Sequence, residues 1–154
     1  MQPIVFECHQ FIPASAAEIA ATIADTEQWK SFGGYGFLPG IASAVYEKRT
    51  DDMIGSRIRV QNTDGSSHVE EIYAWNEGEK VAMKMHEFTP PLSRMAGYFT
   101  EEWTFVPQGS GTLVTRHFEL YARHWGTRPF LWLISLLFRR AIARNLAEMA
   151  VGEI

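Results

Sequence analysis

A single cysteine, Cys8, stands in a chain of 154 residues, which excludes both an internal disulfide and a thiolate metal cluster. It reads as a small buried apolar group. Long hydrophobic runs are missing as well. The most apolar stretch, "FLWLISLLF" from Phe130 to Phe138, is about half the ~20 residues that a membrane span requires. The amino-terminal "MQPIVFECHQ" has neither a basic region nor an apolar run of signal-peptide length, so the expectation is a cytoplasmic protein without a transmembrane segment.

Positive charge is also scarce. The net charge of −4 and pI near 5.7 argue against nucleic acid as a partner, since that needs a strong basic field. The deficit is uneven. Residues 1–115 hold 8 Lys+Arg against 15 Asp+Glu, whereas residues 116–154 hold 6 Arg against 3 Glu. A local basic face at the carboxy-terminal end is therefore expected. Catalytic motifs are absent too. The five histidines form no HExxH or HxH pattern, and no GxSxG elbow occurs. The sequence assigns no catalytic residue, no metal ligand and no cofactor.

What the chain does have is aromatic bulk, 13% of residues, and one conspicuous glycine run, "GGYGFLPG" at 33–40. A dinucleotide cradle needs a strand before the glycines, a helix after them and a third glycine at fixed spacing. Gly34 and Gly36 fit the first two positions, but Pro39 takes the third. A helix-like segment precedes the run and a strand-like one follows it. No nucleotide site is expected there.

The remaining pattern is a strand, two short helices, a series of strands and a long helix. "IVFECHQFI" alternates, with Ile4, Phe6, Cys8 and Ile12 on one face. "SAAEIAATIAD" opens with a capping box, Ser15 to Glu18, and "TEQWKSF" suggests a second short helix. Six strands separated by tight turns come next and read as an antiparallel meander. A long helix closes the chain. Thr127 is its expected N-cap, and Phe130, Leu133, Ile134, Leu137, Ala141 and Asn145 form its expected inward stripe. Its first half is apolar all round.

The last hairpin gives the best polar constellation. A turn at Gln108–Gly111 pairs Trp103 with Arg116 and Glu101 with Phe118, and places every large apolar residue of both strands on one face. Glu101 and Arg116 then share that inner face, with Arg116 over the Trp103 ring. The pair reads either as a structural ion pair or as the anchor for the polar head of an apolar ligand. Met83 and Met85 alternate onto one face of the preceding strand. The inward parity of "HVEEIYAW" is ambiguous, and Tyr73 is its weak candidate.

Four stretches carry a family resemblance: "FIPASAAEIAATIADTEQW", "FLPGIASA", "IYAWNEGEKVAM" and "EEWTFVPQGSGTLVTRHFEL". They resemble the START-like, helix-grip superfamily, within it the SRPBCC or polyketide cyclase/dehydrase group, across nearly the whole of residues 1–154 as a single domain. The resemblance implies an α+β fold in which a curved antiparallel sheet of about seven strands wraps around the terminal helix and encloses an apolar cavity. "GGYGFLPG" would then be either a rim with Tyr35, Phe37 and Leu38 as gate residues, or a packed turn. The implied ligand-binding set is Tyr35, Phe37, Leu38, Met83, Met85, Glu101, Trp103, Arg116, Phe118, Leu133 and Leu137. The leading expectation is a binder of a small hydrophobic molecule such as a lipid, polyketide or isoprenoid. The alternative is an aromatase/cyclase or dehydrase using Glu101 or His86 as base and Arg116 to hold an enolate. A third, from relatives that bind coenzyme Q or ribosomal particles, is a membrane or protein contact through Trp132, Arg139 and Arg140.

Overall fold

The computed structural model describes residues 1–152. The chain begins with β1 (Ile4–Ile12), whose burial alternates so that Ile4, Phe6, Cys8 and Ile12 face inward. Helix α1 (Ala16–Ala24) follows at once. Ser15 Oγ accepts from the Glu18 amide at 3.1 Å, which satisfies one of the amides that every helix start leaves free. At its far end the Asp25 carboxylate accepts from the Glu27 amide and starts a 3-10 helix over Thr26–Ser31.

Six further strands are laid down in order: β2 (Ile41–Lys48), β3 (Arg57–Asn62), β4 (Ser67–Asn76), β5 (Lys80–His86), β6 (Ala96–Gln108) and β7 (Gly111–Ala122). All pair antiparallel in one sheet of order β1-β7-β6-β5-β4-β3-β2. Turns of a few residues join β3 to β4, β4 to β5 and β6 to β7, longer connections join β2 to β3 and β5 to β6, and only β1 crosses over, to pair with β7. The β6–β7 register is the expected one, with Trp103 opposite Arg116, Glu101 opposite Phe118 and Phe105 opposite Val114.

Helix α2 (Arg128–Ala150) closes the fold against β1 and β7. Phe138 meets Phe6 and Phe118 with ring centroids 5.5 and 4.8 Å away, and Phe6 stacks on Phe118. Thr127 is the N-cap residue and Pro129 stands in the first turn, both as expected, but the Thr127 hydroxyl makes no capping hydrogen bond and lies instead within reach of the Met95 and His124 carbonyls. The inward stripe is the expected one only in part. Ala141 is buried and Ile134 and Asn145 are half-buried, but Leu131, Ser135, Phe138, Ile142, Leu146 and Met149 also face the core, while Phe130 and Leu133 lie exposed. Because the first half of the helix is apolar on every side, hydropathy could not choose the face, and the aromatic cluster chose it. Among the described residues no helix is long and apolar enough to cross a membrane.

This assignment separates two similar substitutions. Leu131 is 0% and Leu133 52% exposed. Leu131→Ala should lower unfolding free energy by about 2–5 kcal/mol through the lost burial and the cavity left behind. Leu133→Ala should stay within about 0.5 kcal/mol of the parent. Urea titrations of both variants check the face; equal losses would refute it.

Candidate ligand-binding site

The inner face of the sheet can be followed along its cross-strand rows. One runs Ile4, Leu120, Phe99, Met85, Glu70, Ile58; the next runs Phe6, Phe118, Glu101, Met83, Ile72; a third runs Cys8, Arg116, Trp103, Val81, Trp75. Two acids and one base thus stand among apolar neighbours on three adjacent rows. Glu70, Glu101 and Arg116 are all buried.

Between this face and α2 lies a cavity of about 320 Å³. Met83, Met85, Phe99 and Trp103 form its sheet wall, Ile134, Phe138, Ile142 and Met149 its helix wall, and Ile23, Trp29 and Phe32 another side. Three loops edge it, carrying Phe37 to Pro39, Asp64 with Ser66, and Phe88 to Met95. In the glycine loop, Tyr35 and Leu38 exchange backbone hydrogen bonds across a tight turn. Gly34 makes the turn possible. Its φ is +74°, and a Cβ there would stand 2.3 Å from the Leu38 carbonyl oxygen.

The polar groups gather in one corner. Arg116 Nε donates to Glu101 Oε2 at 2.6 Å, its Nη2 reaches the same oxygen, and its Nη1 donates to Asn145 Oδ1 at 2.9 Å. The guanidinium lies 4.0 Å from the centroid of the Trp103 ring. On β4, His68 Nε2 lies 3.0 Å from Glu70 Oε2. Burial drives the Glu101 carboxyl up to about 7; Arg116 opposes the rise and the nearby Glu70 adds to it.

Of the expected ligand-binding residues, Phe37, Leu38, Met83, Met85, Glu101, Trp103 and Arg116 line this cavity, and Phe37 is largely exposed at its rim. Four do not. Phe118 is sealed beneath Phe6 and Phe138. Tyr35 turns away from the cavity to accept a hydrogen bond from Arg140. Leu133 faces outward, and Leu137 packs beside Gly36 behind the loop. Tyr73 is exposed on the other face of β4. His86 also lies off the cavity, beside Glu71 and Glu87 on the outer face. There Arg57 donates to both of those carboxylates, so a guanidinium already fills the place where a cation would sit.

His68, Glu70 and Asn145 were missed. The register shift between Ile72 and Ala74 resets the parity of β4, which is why alternation alone left its face open. Asn145 did fall on the expected stripe, but nothing in the sequence linked it to Arg116.

An antiparallel sheet closed on a long terminal helix around a cavity defines a START-like, helix-grip protein. Solved structures share the fold. A START superfamily protein from Mycobacterium smegmatis is 14% identical with a TM-score of 0.74, covering 97% of this chain and 99% of that one. A protein from Thermus thermophilus is 16% identical with a TM-score of 0.72, and ginseng major latex-like protein 151 from Panax ginseng 16% identical with 0.67, each covering 97% of this chain and 99% of the other. No curated protein sequence matches the chain. The profile of the family described as polyketide cyclase / dehydrase and lipid transport matches residues 3–151, and the chain belongs to that family.

The corner has a pH signature. Glu101 binds its proton more tightly folded than unfolded, so between about 4.5 and about 7 the native state holds more protons. Stability should therefore fall as pH rises through that window, and Glu101→Gln should flatten the fall. Arg116→Ala should lose about 3–5 kcal/mol by stranding a buried carboxylate, and the double change Glu101→Gln with Arg116→Met should recover much of it. Chemical denaturation across pH reads all three. An unchanged Arg116→Ala variant would contradict the buried pairing.

Proposed function

We propose that the protein binds and carries a small hydrophobic molecule, of the lipid, polyketide or isoprenoid kind, in the cavity between sheet and helix. The observation that carries this reading is a cavity of about 320 Å³ whose walls are methionine, aromatic and aliphatic side chains, with polar groups confined to one corner. Ligand sites are commonly built this way, from mostly apolar lining and a few placed polar groups. The family's description as polyketide cyclase / dehydrase and lipid transport supports the same class of ligand.

The polar corner bears on the enzymatic alternative. Arg116 already spends its Nε and an Nη2 donor on Glu101 and an Nη1 donor on Asn145, and Glu101 balances its charge, which weakens it as a clamp for a developing enolate. His86 lies outside the cavity and cannot serve there as base. Binding and carriage need neither.

A second feature favours delivery at a membrane. Trp125, Phe130, Trp132, Leu133 and Leu136 are exposed on α2 and the turn before it, and Phe37 at the rim is 76% exposed. Arg139 and Arg140 are also exposed on α2, and Arg140 reaches Tyr35 in the rim loop. Exposed tryptophans beside arginines suit an anionic lipid surface. In this reading the helix face rests on the bilayer with the cavity rim beside it.

Two experiments check these readings. The neutral apolar fluorophore N-phenyl-1-naphthylamine should bind the protein saturably at one per chain, and native mass spectrometry of protein purified from its own host should show a co-purifying small molecule. Absence of any saturable site would refute carriage. Vesicles of phosphatidylcholine with phosphatidylglycerol should sediment the protein more strongly than phosphatidylcholine alone, and Trp132→Ser with Leu136→Ser should weaken that binding. Equal, negligible sedimentation would refute the membrane contact.

A further inference from the structure

We infer that the cavity selects neutral ligands carrying a hydroxyl at one end of an apolar body and rejects the matching carboxylates. This rests on the binding reading above and adds the chemistry of the head group.

The cavity lining contains three carboxylates, Asp64 at the rim with Glu70 and Glu101 deeper, and Arg116 is its one Lys or Arg among the described residues. Arg116 is committed, through Nε and Nη2 to Glu101 and through Nη1 to Asn145. Its flat face is taken by Trp103. A ligand carboxylate would therefore meet a guanidinium whose charge Glu101 already balances, with only the remaining N–H of each Nη left to offer. It would add a further negative charge to a buried corner that already holds more acid than base. Uncompensated buried charge is the most expensive kind of burial.

Free acceptors point the same way. Arg116 engages only Oε2 of Glu101, and His68 engages only Oε2 of Glu70. Neither Oε1 has a hydrogen-bond partner among the described residues. Neither is among the enclosed, unpartnered side-chain atoms of the described residues, which are His86 Nε2 and Trp103 Nε1. Both acids line the cavity, so each brings to its wall a carboxylate with one oxygen that has no hydrogen-bond partner. A hydroxyl can donate to such an oxygen without bringing charge. A carboxylate can only accept.

The raised Glu101 carboxyl, at about 7, reflects the same crowding of acid in a buried place. Measurement at pH 8.5 keeps it ionised.

The test compares two ligands with one body, 4-octylphenol and 4-octylbenzoate, displacing N-phenyl-1-naphthylamine at pH 8.5. The phenol remains uncharged there. It should displace the fluorophore at a concentration roughly tenfold or more below that of the benzoate, a gap of about 1.4 kcal/mol. Glu70→Gln, which removes one negative charge and leaves the Glu101–Arg116 pair in place, should narrow the gap. If Glu70→Gln fails to fold, the parent's ratio alone decides. Equal or tighter displacement by the benzoate would overturn the inference. Fluorophore binding that neither ligand displaces would overturn it too, while leaving the cavity reading intact. Failure of the fluorophore itself to bind would overturn both.

Discussion

The structure turns on one buried guanidinium. Arg116 on β7 holds Glu101 on β6, Asn145 on α2 and the face of Trp103, so one side chain joins two strands and the closing helix. A charge placed there must keep all its partners, because removing any one leaves another buried group unmatched. This fixes the hairpin register. A one-residue slip would turn Glu101 and Arg116 to the outer face and carry Trp103, Phe105, Phe118 and Leu120 with them. The same contact fixes how α2 lies, since Asn145 must stay at 2.9 Å from Nη1.

Around that fixed corner the cavity follows from what each side can and cannot fill. Phe6, Phe118 and Phe138 pack solidly between β1, β7 and α2. Further along the sheet, Met83 and Met85 face α2 across open space. The glycine run is part of the same geometry and cradles no phosphate. Gly34 allows the turn at Tyr35–Leu38, and a Cβ on Gly40 would meet the Phe32 carbonyl oxygen at 2.7 Å. Those glycines let the rim fold tightly against the chain that enters and leaves it, which sets Phe37 at the mouth.

The fold was largely legible in the sequence. Alternation in β1, β6 and β7, the Ser15 side-chain cap and the turn residues at Gln108–Gly111 are local signals, and each has a local physical cause that survived folding. The hairpin pairing carried Glu101, Arg116 and Trp103 together because register is a consequence of which face must be buried. Three things were not legible. The face of α2 was undecided by a helix start that is apolar all round, so Leu133 and Leu137 were expected inside. A bulge at Ile72–Ala74 concealed the inward acid of β4, Glu70. And the division of inner-face residues between solid core and cavity wall depends on where α2 rests, which is why Phe118 was expected at the site and lies instead beneath it.

The chain's five tryptophans allow the central claim to be tested in one spectrum. Trp29 and Trp103 line the cavity, Trp75 does not, and Trp125 and Trp132 are exposed. A two-dimensional nitrogen–proton spectrum recorded as 4-octylphenol is added should move the indole resonances of Trp29 and Trp103 together, to saturation at one ligand per chain, and leave those of Trp75, Trp125 and Trp132 in place. Shifts confined to Trp125 and Trp132, or no saturable shift at Trp29 and Trp103, would contradict a ligand site between sheet and helix.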